Sequence, residues 1–247
     1  MLINLENIKV EVAGKTLLDH IDFHIAEGEF VYLIGKVGTG KTSLLKTLYG
    51  ELPIAGKDGT AQILDYDLHT LKRKQLPMLR RQLGIVFQDF QLLDNRTVFE
   101  NIDFVLRATG WSKKKLRHRR IEEVLSEVGM ADKIQAFPHE LSGGEQQRAS
   151  IARALINDPK IILADEPTGN LDQGNSAEVM RLLRRQCERG TAVVMVTHNL
   201  HLLEQYPGIV YRCEDGTLKE QNGQAAVPAP SADVTPHPAD TAEESAD

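Results

Sequence analysis

Residues 30–48 read Phe-Val-Tyr-Leu-Ile-Gly-Lys-Val-Gly-Thr-Gly-Lys-Thr-Ser-Leu-Leu-Lys-Thr-Leu. Phe30 to Ile34 is a short, nearly continuous apolar run, the pattern of a parallel strand buried on both faces. Gly35, Gly38 and Gly40 then break the chain into a turn. Leu44, Leu45 and Leu48 follow at helical spacing. The turn fits G-x-x-x-x-G-K-[ST], with Gly35, Gly40, Lys41 and Thr42 at the fixed positions and Ser43 directly after. A triphosphate needs many donors at close range. Glycines let the loop, with Thr39 inside it, wrap so that backbone N–H groups point inward, and the following helix adds its positive end. Lys41 can reach the β- and γ-phosphates, and the Thr42 hydroxyl can ligate Mg²⁺. A glycine-rich turn without a ligand is the competing reading, and the strand-to-helix context weighs against it.

Working outward, residues 1–12 alternate, with Ile8, Val10 and Val12 opposite Lys9 and Glu11. Ile21, Phe23 and Ile25 alternate with Asp22 and His24. Both segments read as half-buried antiparallel strands. Leu83 to Phe87 is another strand candidate. From about 92 to 157 the pattern turns helical, with Ser112 as a helix cap and Gly129 as a helix end. Ile161–Ala164 and Ala192–Thr197 read as buried strands flanking a helical stretch from Asn175 to Arg189. Ile209–Cys213, Glu214-Asp215-Gly216 and Thr217-Leu218 suggest a terminal hairpin.

The strand from Ile161 ends in Asp165-Glu166. Alone, two acids at a strand end are more often just solvated. Beside a phosphate loop, Asp165 can hold Mg²⁺ and Glu166 can polarise an attacking water.

The bulk numbers fit one large domain. The chain has 247 residues, 41% apolar and 26% charged, with net charge -6. Five acids and no Lys or Arg lie in residues 221–247, which also hold four of the ten prolines. That stretch reads as a disordered acidic tail. The rest is nearly neutral, which argues against a nucleic-acid binder. Cys187 and Cys213 form no C-x-x-C pair, so a reducing compartment is expected. No apolar run reaches membrane-spanning length, and the N-terminus lacks a signal peptide's basic start.

Leu141-Ser142-Gly143-Gly144-Glu145-Gln146-Gln147-Arg148 precedes a second helical run. Ser142, Gly143 and Gly144 thus sit at a helix N-terminus with bare backbone, a second phosphate-binding end. One nucleotide does not need both ends from one molecule. Two chains packed head to tail, each closing the other's site, would use both.

Taken together, these motifs resemble the ABC ATPase family over about residues 1–220. The phosphate loop, Gln88, Leu-Ser-Gly-Gly-Glu, Asp165-Glu166, Asn170-Leu171-Asp172 and His198 occur in the family's order. The resemblance implies an α/β P-loop NTPase core of ABC type, with an antiparallel β-subdomain and a helical subdomain at about 92–157. It implies ATP with Mg²⁺, and an ATP-dependent dimer. Gln88 would link the γ-phosphate and Mg²⁺ to a membrane partner. Ser142 and Gly144 would contact the γ-phosphate across the dimer, Asp172 would lie at the dimer seam, and His198 would hold the hydrolytic geometry. Within the family, Phe87-Gln88-Asp89-Phe90-Gln91-Leu92-Leu93 and Arg96-Thr97-Val98-Phe99-Glu100-Asn101-Ile102 look like the cell-division branch. That branch implies an FtsX-like membrane partner, control of a cell-wall hydrolase, and a place on the cytoplasmic face of a bacterial inner membrane. The stretch 164–172 is shared with lipoprotein-release and efflux ATPases, the alternative. Soluble repair or translation relatives are disfavoured, because the chain lacks both a long coiled coil and a second phosphate loop.

Three features depart from the family pattern or invite another reading. No aromatic stands near Val12 to stack on adenine, which leaves base preference open. Lys36-Val37 replaces a usual polar residue, with Lys36 expected to face solvent. Lys113 to Arg120 is strongly basic, and a solvated helix face paired with Glu122, Glu123 and Glu127 is the preferred reading.

Overall fold

The computed structural model describes residues 1–221. The acidic tail expected from the sequence lies, from residue 222 on, outside the described residues. Strands β1 (Ile3–Val12) and β2 (Lys15–Ile25) form an antiparallel pair. Strand β3 (Phe30–Gly35) leads into helix α1 (Lys41–Leu48). Short strands β4 (Thr60–Ile63) and β5 (Tyr66–Asp67) extend the first pair into a sheet of order β2-β1-β4-β5. Helix α2 (Leu76–Arg81) precedes β6 (Leu83–Val86). The helical stretch holds α3 (Val98–Ala108), α4 (Lys114–Glu127) and α5 (Gly143–Leu155), with two 3₁₀ turns between α4 and α5. The chain then returns through β7 (Ile161–Asp165), α6 (Gln173–Glu188), β8 (Ala192–Val196), α7 (His201–Gln205), β9 (Ile209–Glu214) and β10 (Thr217–Glu220).

The second sheet runs β10-β9-β3-β8-β7-β6 and is parallel except for β10. Its central strands are buried on both faces, which explains their unbroken apolar runs. Alternate residues serve two cores. Phe30, Tyr32, Ile34, Ile162 and Val193 pack with α3 to α6. Val31, Leu33, Ile161, Leu163 and Val194 pack with α1 and the antiparallel sheet. Each large apolar side chain so buried contributes about 1.5–3 kcal/mol.

Helix α3 starts at a capping box. The Thr97 hydroxyl accepts from the Glu100 N–H, and the Glu100 carboxylate accepts from the Thr97 N–H. Helix α4 corrects an expectation. Its N-cap is Lys113 with no side-chain cap, not Ser112. The Ser112 carbonyl instead accepts from Arg117, whose guanidinium also pairs with Asp103 at 2.6 Å. The basic stretch pairs with Glu122 and Glu123, through His118–Glu122 and Arg119–Glu123 at i,i+4, whereas Glu127 pairs instead with Arg189 and Gln186 at the end of α6. Arg120 reaches further, to Asp158 at 2.6 Å, and ties α4 to the turn after α5. Alternation alone did not reveal β4, β5 or α2, because each is too short to show a period.

Candidate active site

Strands β6, β7, β8 and β3 lie side by side and parallel, so their C-terminal ends meet on one edge of the sheet. Ligands of open α/β sheets bind there. Gly35 ends β3, Asp165 ends β7, Phe87-Gln88 follow β6, and Thr197-His198 follow β8. Four distant chain segments are thereby placed at one edge by strand order alone.

At Gly35 φ is 143°, and a Cβ would stand 2.3 Å from the Cys213 carbonyl oxygen on β9. Only glycine permits that approach. The Lys41 ammonium, almost fully buried, reaches back over the loop and donates to the carbonyls of Gly35 and Lys36, each at 2.8 Å. The Thr39 hydroxyl donates to the Lys36 carbonyl at 2.9 Å. Helix α1 begins after Gly40, at φ 96°, with no side-chain cap. Its first N–H groups thus keep their donor capacity and the helix presents its positive end.

The Thr42 hydroxyl donates to Asp165 Oδ1 at 3.1 Å. Burial raises the Asp165 carboxyl above its ordinary range; the Thr42 bond opposes that rise and the neighbouring Glu166 charge adds to it. Glu166 has φ 47°, a left-handed conformation that costs an L residue about 1–2 kcal/mol. Its N–H still bonds the Val196 carbonyl at 3.0 Å, which holds the turn to the sheet. So turned, the carboxylate meets His198: Oε2 lies 2.9 Å from Nδ1 and accepts from the His198 N–H at 3.4 Å. Gln88 is exposed, and its carbonyl accepts from Asn170 Nδ2 at 3.3 Å.

Gly38, Gly40, Lys41, Thr42, Ser43, Gln88, Glu166 and His198 line a cavity of about 490 Å³; Gly35, Thr39 and Asp165 stand behind that lining and are not part of it. Leu17, Val37 and Val196 are its apolar lining residues. Val12 is not among the lining residues. Lys36 is exposed and enters only through its carbonyl, in keeping with a solvent-facing side chain.

Ser142, Gly143, Gly144 and Asp172 form a second cluster, outside that lining. Ser142 caps α5 in a reciprocal box. Its hydroxyl accepts from the Glu145 N–H at 3.3 Å, and Glu145 Oε2 accepts from the Ser142 N–H at 2.8 Å. The bonds from Ser142, then the Lys133 ammonium, hold the Glu145 carboxyl below its ordinary range. Asp172 caps α6 through the Asn175 N–H at 2.9 Å and takes a second bond from Asn175 Nδ2 at 2.6 Å. Gly144 is buried, and a Cβ there would stand 2.0 Å from Asn175 Oδ1. The space beside the Gly144 Cα is filled by Asn175 of the same chain. Ser142 and Gly143 remain exposed.

Two connecting residues escaped sequence reading. Gln147 is fully buried and donates to the Pro167 carbonyl at 2.6 Å, which ties α5 to the turn after Glu166. Asn101 is almost fully buried; it accepts from the Leu93 N–H and donates to the carbonyls of Leu93, Arg96 and Thr97. A polar residue at a helix's buried position is the only signal either one gives.

The family model for "ABC transporter" matches residues 18–169. The chain belongs to the ABC transporter family. It is an ATP-hydrolysing, nucleotide-binding member of that family. It is 43% identical over 205 residues to "Cell division ATP-binding protein FtsE" of Streptococcus pneumoniae, covering 83% of this chain and 88% of that one. The protein of the same name from Bacillus subtilis is 45% identical over 207 residues, covering 83% and 89%. The Escherichia coli one is 41% identical over 219 residues, covering 88% and 97%. Among solved structures, the dimeric ATP-binding cassette MJ0796 bound to ADP and Pi superposes with TM-score 0.78 at 31% identity, covering 89% of this chain and 97% of that one.

Proposed function

We propose that this ABC ATPase is the energising subunit of an FtsE–FtsX-like complex, in which two copies close around ATP and act on a membrane partner during cell division. The observation that carries the reading is the convergence of Lys41, Thr42, Gln88, Glu166 and His198 on one cavity. Loop N–H groups and the α1 N-terminus cradle the phosphates. The Lys41 ammonium, held on two neutral carbonyls, exchanges them for phosphate oxygens, a stronger charge-assisted pairing. Thr42 and Asp165 would hold Mg²⁺. The pair fits a hard cation: two oxygen donors 3.1 Å apart, one of them a carboxylate whose burial a cation would offset. Mg²⁺, when bound, supplies charge neutralisation at the phosphates.

Glu166 orients the attacking water and takes up its proton. His198 fixes the Glu166 rotamer through the 2.9 Å contact and meets the γ-phosphate. Ser142 to Gly144 of a second copy complete the cavity with the α5 N-terminus, and Asp172 lies at the seam. The solved dimer named above supports the pairing of two copies. Closure around two triphosphates, then loss of charge on hydrolysis, is the switch.

The relatives' cell-division name favours an FtsX-like partner and control of cell-wall hydrolysis over the lipoprotein-release or efflux alternative. Among the described residues no helix is long and apolar enough to cross a membrane, so attachment at the cytoplasmic face would come through the partner.

The test uses tagged Glu166→Gln protein. It is expected to bind ATP normally, to accumulate ATP-stabilised dimers, and to hydrolyse at least about 100-fold more slowly. Wild-type turnover would remove Glu166 from the catalytic role. Capture from solubilised membranes with ATP then identifies the partner. An FtsX-like protein supports the division reading, and a lipoprotein-release permease overturns it while leaving the catalytic roles in place.

A further inference from the structure

Glu166 is followed directly by Pro167. A proline ring pushes the residue before it toward extended backbone. Glu166 sits instead at φ 47°, in the left-handed region. A residue so placed keeps that shape only where its surroundings hold it. Two main-chain bonds do part of this: the Glu166 N–H to the Val196 carbonyl, and the Gly169 N–H to the Glu166 carbonyl, each at 3.0 Å. They fix the entry to the turn and its closure. Neither grips the peptide that follows Glu166.

Pro167 has no N–H, so its carbonyl is the only main-chain polar group by which that residue can be held. Gln147 on α5 takes it, donating from Nε2 at 2.6 Å. Gln147 is fully buried, and so is Ser150, whose hydroxyl stands 3.1 Å from Gln147 Oε1. The two contacts fix which way the amide faces, with its donor side on Pro167. Burying an amide costs free energy that an apolar side chain of the same size would not, so a polar group here calls for a polar task.

We propose that Gln147 is a positioning residue for Glu166: its bond to the Pro167 carbonyl keeps Glu166 in the left-handed conformation that turns the carboxylate onto His198. The inference rests on the water-activating role of Glu166 proposed above.

Gln147→Met keeps the length of the side chain and removes the donor. The His198 ring signals in an NMR spectrum read the Glu166 contact without turnover. In Gln147→Met they are expected to move toward their positions in Glu166→Ala, where the contact is gone. The Gly169 and Leu171 amides, bonded to Glu166 and Thr168 within the turn, are expected to exchange about tenfold faster or more, with β7 and β8 still protected. The kcat for ATP should fall about tenfold or more, with KM held within about twofold.

Ser150→Ala separates positioning from mere stability. It strips the other partner of the same buried amide and leaves the Pro167 contact in place, so it should lower the melting temperature while keeping the His198 signals and keeping kcat within about threefold. Equal effects of Ser150→Ala and Gln147→Met on all three readouts overturn the proposal. So do unchanged His198 signals and unchanged exchange in Gln147→Met. Should that variant not fold, Gln147→Ala carries the same comparison, and protection lost throughout the domain in both overturns the local role. Wild-type turnover in Glu166→Gln would overturn the catalytic reading alone, since the ring signals and the exchange still decide what Gln147 holds.

Discussion

Replacing Gly144 by Ala separates what this residue does for folding from what it does for turnover. Gly144 lies in α5 at negative φ, so its backbone does not require glycine. The added Cβ would stand 2.0 Å from Asn175 Oδ1 and 2.3 Å from its Cγ. No backbone atom is that close, so the side chain of Asn175 must swing away. Forcing a side chain off its rotamer costs about 0.5–1.5 kcal/mol. Alanine in place of glycine in a helix returns about 1 kcal/mol, less in the first turn. The two nearly cancel. The melting temperature should move by no more than about 2–4 °C in either direction. The α6 cap survives, because the Asn175 N–H still reaches Asp172 Oδ1 at 2.9 Å. What is lost is the 2.6 Å bond that fixes the other Asp172 oxygen, together with the longer one that Asn175 Oδ1 accepts from Arg148. If Asp172 works at the dimer seam, hydrolysis should fall by about tenfold or more while ATP binding stays level. Thermal unfolding, nucleotide titration and steady-state ATPase read the three quantities. An Asn175→Ala background completes the test. With Asn175 gone the Cβ has room, so Gly144→Ala should be stability-neutral or favourable there. An equal loss of stability in both backgrounds would refute the argument that Asn175 is what the glycine accommodates.

Further outcomes follow from the same geometry. Lys41→Ala should lose ATP binding by about 100-fold or more in a titration, since a buried charge-assisted contact to phosphate disappears; unchanged affinity would contradict the phosphate-loop assignment. Asp165→Asn should raise the nucleotide-free melting temperature at neutral pH while removing Mg²⁺-dependent hydrolysis. The Asp165 carboxyl is raised by burial, so its ionised form costs stability as pH rises above the ordinary carboxylate range, and that cost vanishes below it. The stability gap between Asp165→Asn and wild type should therefore close as pH is lowered, and a gap independent of pH would count against that coupling. Asn101→Ala strips partners from buried backbone groups at Leu93, Arg96 and Thr97. It should cost about 2–4 kcal/mol by denaturant titration, and a change near zero would show that water replaces the amide.

Much of the site was legible because its residues are fixed by local chemistry. Gly35 to Thr42 must alternate backbone exposure with a lysine and a hydroxyl, whatever the surrounding fold, and the sequence states that order openly. Asp165-Glu166 was legible only beside it, since a strand ending in acids has no meaning of its own. Gln88 and His198 have only their places after buried strands as a local signal, and their roles come from the resemblance. Gly144 was half legible: its place at a helix start was evident, its partner Asn175 was not. Contacts across 31 residues of chain leave no period and no spacing for a reader to find.

The sequence by itself determined the strand and helix character of the long elements, the phosphate loop and the family, because each rests on short-range periodicity or on backbone chemistry within a few residues. The tertiary structure decided the rest. Strand order β3-β8-β7-β6 brought four loops to one edge. Packing turned Glu166 onto His198 and set Gln147 against Pro167. These depend on which buried surfaces meet, and that choice is made by the whole core at once, through burial that no single segment encodes.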